Sequence, residues 1–255
     1  MSTYASFQGR VYLGRRDAAG LPIDLRSPGN VADLKLTLQT EVLEHYESQT
    51  GQRTLDHRMI KQKSATVMLT LESFTPENLA LALYGQPLTD AGGTVTEEPL
   101  GTTTLQVGER YPLAHAQVSN LIVTDSAATP VTLEAGVDYT ADLVFGALQL
   151  LRLTDGTNPF VGPLKASYTY GSVTEVGIFT QPLPERFVRL EGVNTAQSNA
   201  PVLVELYRVA FDPLKELALI SEEYNRFELE GSLLADSSKP WDATLGQFGR
   251  IVMLG

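Results

Sequence analysis

A mainly β fold is expected: an antiparallel sandwich or open barrel, one or two short flanking α-helices, and a small inserted β module. Three features of the sequence lead there. Several segments alternate apolar and polar residues with a period of two, turn-forming Gly, Pro, Asn and Asp clusters cut the middle third into short runs, and only two short stretches carry helix punctuation. At 255 residues, with 43% apolar and 19% charged side chains, the chain can build one large β domain, or a body of about 170 residues with a smaller module attached.

The first convincing strand is VADLKLTLQTEV. Leu34, Leu36 and Leu38 alternate with Asp33, Lys35, Thr37 and Gln39, which gives one dry and one wet face. Its expected antiparallel partner is SATVMLTLES, with Ala65, Val67, Leu69 and Leu71 on one side and Thr66, Met68, Thr70 and Glu72 on the other. Between them lies LEHYESQTGQRTLDHRMIKQK, Leu43 to Lys63, a long polar stretch with one glycine where a tight hairpin turn belongs. It reads as a loop without structure of its own. Such loops, beyond about 12 to 15 residues, are usually functional or disordered. Tyr46, Leu55, Met59 and Ile60 are spaced through it among charges of both signs, as anchors that a neighbouring molecule could cover while ordering the loop.

FTPENLALALYG carries a complete helix signature: Thr75 as N-cap, Pro76 at the first helical position, Glu77 in the first turn and Gly85 as the stop, with Leu79 and Leu83 in an apolar stripe. From about residue 91 to 172 the texture changes to SNLIVTD, VDYTAD, GALQLLRL and LKASYTYG, short strands bounded by turn residues. This reads as an insertion into a body formed by residues 1–90 and 173–255; the alternative is that it extends the same sheet. Strands then resume in RFVRLEGVNT, APVLVELYRVAFD, NRFELEGSLLAD and FGRIVMLG, with DPLKELALI as a second short helix capped by Asp212 and opened by Pro213.

Charge and composition narrow the function. Thirty acidic against 19 basic side chains, a net charge of −11, argue against a broad phosphate-gripping surface. The absence of cysteine removes disulfides and thiolate chemistry. The N-terminal segment lacks the apolar run of a secretory signal, and no stretch approaches about 18 uninterrupted apolar residues, so a soluble protein made in a cytoplasm is expected. Phosphate-loop, dinucleotide and nucleophile-elbow motifs are absent from the sequence. His45 and His57 could meet across the polar stretch, but no cysteine joins them, and solvated histidines are the simpler reading; His115 stands apart. Glu97 with Glu98, Glu222 with Glu223, and Glu228 with Glu230 read as solvated acidic surface rather than a glycosidase pair. No catalytic residue, cofactor or metal site is expected. The basic residues Arg10, Arg15, Arg16, Arg53, Arg58, Lys61 and Lys63 read as positive charges kept for another copy's negative ones.

The stretches LEHYESQTGQRTLDHRMIKQKSATVMLTLESFTPENLALALYG and VLVELYRVAFDPLKELALISEEYNRFELEGSLLADSSKPWDATLGQFGRIV resemble the major tail tube proteins of long-tailed, siphovirus-type bacteriophages, over roughly residues 1–85 and 175–255. The resemblance implies a β-sandwich subunit that closes into hexameric rings. The rings stack into a hollow virion tail through which DNA passes without specific binding, and the tail is assembled in the host bacterial cytoplasm. Tape-measure, tail terminator and tail tip proteins are the implied partners, with no membrane. The long strand-to-strand loop of that family reaches the adjacent ring. Here it corresponds to Glu44–Lys61, with Glu44, Tyr46, Glu47, Arg53, Leu55, Asp56, Arg58, Met59 and Lys61 as the expected contacts.

A DNA conduit also needs a surface that does not hold phosphates. The wet strand positions Asp33, Thr37, Gln39, Thr70, Glu72, Glu228 and Glu230 are the candidates to face the channel, with Lys35 departing from the pattern; the alternative is that they face outward. Two other readings remain: a tube component of a related bacterial contractile or secretion system, and a carbohydrate-binding β-sandwich. The latter needs aromatic platforms, for which the sequence offers a single tryptophan, Trp241.

Overall fold

A computed structural model describes residues 4–239 and 246–254. Trp241 lies outside them. The described chain is strand-dominated with one α-helix, and divides into two compact units. One is formed by Met1–Pro87 and Val176–Gly255, the other by Leu88–Glu175.

The first unit is built on one antiparallel sheet. Its strands are β1 (Phe7–Arg16), β2 (Pro22–Arg26), β3 (Val31–Tyr46), β4 (Leu55–Leu71), β13 (Glu185–Asn194), β14 (Ala200–Phe211) and β15 (Phe227–Leu233), in the order β2-β1-β13-β14-β15-β4-β3. A short strand β16 (Gly249–Met253) pairs with β14 beside β15. The sheet curls. Phe7 and Val11 of β1 and Leu34 and Leu36 of β3 stand at distant places in the strand order, yet they line one cleft of about 730 Å³ together with Val202 and Ile251. Between those strands the barrel stays open.

Period-two alternation sends Val67, Leu69 and Leu71 of β4, Leu229 of β15 and Phe211 of β14 into the concave side, where all are at most 1% exposed. Each such side chain contributes on the order of 1.5 to 3 kcal/mol by leaving water. On β3 the expected dry face is dry only at its start: Leu34 packs on the core, but Leu36 is 40% and Leu38 74% exposed. The reason is geometric. β15 pairs with β4 only over Thr66–Leu71, so beyond that point the concave surface has run out and the strand pair continues into solvent.

The helix α1 (Pro76–Ala82) starts where its punctuation places it. The Thr75 hydroxyl accepts from the Asn78 N–H, Pro76 opens the first turn, and the Gly85 N–H closes onto the Ala80 carbonyl. Gly85 is required for close approach, since a Cβ there would sit 2.2 Å from the Gly177 carbonyl oxygen. The buried face consists of Asn78, Ala80, Leu81 and Ala82 rather than a Leu79–Leu83 stripe. Fully buried Asn78 spends its amide on the Pro28 and Ser73 carbonyls and accepts from Arg26, which ties the helix to the β2–β3 connection.

The expected second helix, DPLKELALI, does not form. The Asp212 N–H donates to the Glu230 carbonyl, the Leu214 N–H to the Ala82 carbonyl, and the Leu214 and Leu217 side chains pack on the body core. These anchors hold residues 212–220 in an irregular path, and propensity over so few residues is too weak to oppose them.

The second unit pairs two three-stranded sheets. One runs β6 (Gly93–Leu100), β11 (Leu164–Tyr170), β8 (Val118–Thr124); the other β7 (Arg110–Pro112), β10 (Ala147–Leu150), β9 (Tyr139–Asp142). Leu100, Val123, Leu164 and Tyr168 from one sheet meet Tyr111, Tyr139, Leu148 and Leu150 from the other in a core of their own. Buried Asp125 accepts from the Val131 and Val161 N–H groups at 2.7 and 3.1 Å, so its burial is compensated. A two-stranded pair, β5 (Pro87–Asp90) with β12 (Val173–Val176), marks where the chain leaves and re-enters the body.

Candidate functional site

The polar stretch Glu44–Lys61 is not a loop without structure. β3 runs on to Tyr46 and β4 starts at Leu55, leaving only residues 47–54 as a turn. Sequence reading missed this because charged residues on both strands mask the alternation, and because bulges at Glu41/Val42 and His45/Tyr46 shift the register and break the period of two. The tip is tied by Glu47. Its carboxylate accepts from the Gln49 and Thr50 N–H groups at 2.8 and 2.9 Å and from the Thr50 hydroxyl, and its own N–H donates to the Thr54 carbonyl. Those bonds, the Thr50 hydroxyl first, hold its pKa down at about 2. Gly51 and Arg53 take left-handed backbone conformations that complete the reversal.

Beyond Ala65, β4 pairs only with β3, so the hairpin projects as a two-stranded ribbon. Nine residues, 38 to 46, correspond to roughly 30 Å at the rise of an extended strand. Cross-strand register pairs Val42 with Ile60 and Leu43 with Met59, at successive positions and therefore on opposite faces. Nearer the tip Tyr46 pairs with Leu55. Leu43, Met59, Ile60, Tyr46 and Leu55 are all between 48% and 58% exposed. The arm is apolar on both faces and covered on neither.

The charges of the arm are paired along it. Glu44 faces Arg58 at 3.7 Å, Glu41 meets Lys61 at 2.6 Å, and His45 Nδ1 lies 2.6 Å from Asp56, whose pKa the histidine contact lowers. His57 sits opposite His45 in the register, but His45 is spent on Asp56. Among the described residues no three His, Asp or Glu side chains converge as a metal set. Two of the three basic side chains of β1 are likewise engaged within the chain: Arg15 with Asp24, and Arg16 with Asp236 at 2.8 Å. Arg15, Arg16, Arg58 and Lys61, expected to meet another copy's negative charges, thus each have a carboxylate partner within their own chain. The pairs of Arg15, Arg58 and Lys61 are exposed and of a kind that stabilises by about 1 kcal/mol or less, whereas Arg16–Asp236 is withdrawn from solvent.

The second set of sequence candidates spans three strands. Register places Asp33, Thr70 and Glu228 in one row, with Lys35, Met68 and Glu230 in the next; Thr37 and Gln39 continue along β3. Thr70 is buried, and the irregular segment 213–218 lies over part of this face, where Asp33, Thr70, Glu228 and Glu230 help line a cleft of about 490 Å³. Lys215 pairs with Glu230, Arg226 meets Glu72 at 3.0 Å, and Lys35 lies 3.4 Å from Asp33. Among the described residues Glu228 is the one carboxylate of the set without an ion pair. Sequence reading missed Lys215 and Arg226 because it placed the first on a helix and gave the second no neighbour.

A family model described as "Protein of unknown function UCP028589" matches residues 4–252. The chain belongs to that family. No curated protein matches it. Among the described residues no helix is long and apolar enough to cross a membrane.

Proposed function

We propose that the protein is a structural subunit that assembles with copies of itself into stacked hexameric rings, forming the tail tube of a long-tailed bacteriophage and the conduit for its DNA. In this reading it has no catalytic role and works in the virion tail after assembly in the host bacterial cytoplasm. The observation that carries the proposal is the β3–β4 arm. An isolated two-stranded ribbon is marginal in water, and this one spends its apolar pairs on both faces where its own body cannot reach them. A neighbouring subunit that sandwiches the arm removes that surface from water.

The sheet supports the same reading. Its ends are β2 and β3, and a long edge strand left open is an aggregation hazard unless another chain covers it. A heterologous contact that closes makes rings, and one that repeats along an axis makes tubes. The charge of −11 suits a wall that does not retain phosphates. Resemblance to tail tube proteins in the segments that build the arm and the C-terminal strands supplies the hexamer, the tape-measure, terminator and tip partners, and the cargo. Negative-stain microscopy of concentrated purified protein tests the proposal: rings or hollow filaments are expected, and dispersed monomers at every concentration and ionic strength would refute it.

A further inference from the structure

A cleft of about 560 Å³ opens in the body between β2, α1 and residues 181–186. Three arginines line it: Arg15, Arg26 and Arg186. Arg15 is clamped on Asp24. The other two are half-buried and have no carboxylate within ion-pair distance among the described residues. Arg26 gives one bond to the Asn78 side chain at 2.7 Å, and Arg186 gives one to the Glu185 carbonyl at 2.9 Å. Of the three acids that line the cleft with them, Asp24 and Glu185 are committed elsewhere and Glu77 is not. Glu185 holds Arg208 through both oxygens at 2.7 and 2.8 Å, and Asp24 holds Arg15; Glu77 acts on Arg26 only at a distance. Burial lowers the pKa of both Arg26 and Arg186, and Arg186 is lowered further by repulsion from Arg26 and Arg15. Two guanidiniums with most of their five donors unspent, partly dehydrated and repelling each other, form a receptor for a planar oxyanion.

The rest of the lining says what carries that oxyanion. Leu13, Ala80, Tyr84, Leu183 and Pro184 make apolar walls, and the volume falls in the range of sites for organic groups rather than a bare ion. The chain itself displays a matching ligand. In the segment 219–224, LISEEY, Leu219 is 82% exposed and Ile220 and Tyr224 are 97% exposed, the most exposed large apolar side chains described. Glu222 and Glu223 between them are exposed and form no ion pair among the described residues. We propose that the Arg26–Arg186 cleft receives the Glu222–Glu223 loop of a second copy, a carboxylate meeting the two guanidiniums while Ile220 and Tyr224 cover the apolar walls. The contact joins two different patches and is therefore head-to-tail, as a closing ring requires. This inference rests on the self-assembly reading and adds to it a specific pair of surfaces.

The chain contains no cysteine, which makes cross-linking selective. In a variant carrying Leu183→Cys, at the half-exposed lip, and Glu223→Cys, oxidation of assembled protein is expected to give a ladder of multimers on a non-reducing gel; either single variant yields dimers at most. Arg26→Gln with Arg186→Gln, checked for fold by circular dichroism, is expected to raise the concentration at which assembly begins at least about tenfold. Glu222→Gln with Glu223→Gln, at exposed positions with no folding role, is expected to do the same. Normal assembly of all variants with no ladder would overturn the docking while leaving the tube reading intact. So would binding of inorganic phosphate to the wild type, lost in the double arginine variant, with assembly unaffected. Failure of the wild type to assemble would overturn both.

Discussion

Single residues show how closely charge is accounted for in the body. Arg16 and Asp236 lie 2.8 Å apart with side chains 13% and 3% exposed, one of the few ion pairs among the described residues removed from solvent. Burial alone would raise the Asp236 pKa, but the Ser238 bonds and Arg16 outweigh it and leave the group below its ordinary value. Glu185 is lowered too, first by its bonds from Arg208. A depressed carboxylate contributes stability that is present above the unfolded pKa of about 4 and lost as pH falls through the folded value. Thermal melts of the wild type should therefore fall between pH 4 and the low-pH limit, and Asp236→Asn should flatten that limb. The same change should cost roughly 3 kcal/mol at pH 7, because Arg16 is left buried without its principal partner. An acid limb unchanged by Asp236→Asn would remove this pair from the account.

At the level of elements, the β3–β4 arm separates folding from association. Leu43, Met59 and Ile60 contribute nothing to the body core, so Leu43→Ser with Met59→Ser and Ile60→Thr should shift the melting temperature by no more than a few degrees, in line with exposed positions. Leu229→Ala, by contrast, empties a fully buried site and should cost about 2 to 5 kcal/mol. The triple arm variant should stay monomeric in sedimentation at concentrations where the wild type assembles. Sequence alone placed the strand Val31–Val42 with its partner Ser64–Ser73 and the helix at Thr75, because one-sided burial and helix caps leave periodic marks. It did not show that the arm itself is strand. There neither face is buried, so nothing forces alternation, and two bulges break what period there is. DPLKELALI erred the other way: its local code for a helix is sound, but Leu214, Leu217 and Lys215 are each claimed by the body before a turn can close.

For the whole molecule, the body is an open barrel that ends at β2 and β3, with its longest edge carried outward on an arm that its own core cannot cover. None of that was legible as composition, since the exposed leucines of β3 and the buried ones of β4 look alike until the pairing limits of β15 are known. The charges that line the Arg26–Arg186 cleft come from segments far apart in sequence and carry no motif. The account stands on the claim that the arm is covered by another copy of the chain. Amide hydrogen exchange of residues 38–46 and 55–65, followed in dilute subunits and in assembled material, tests it directly. Slow exchange confined to the assembled state is predicted; equal exchange in both states, with assembly complete, would contradict it.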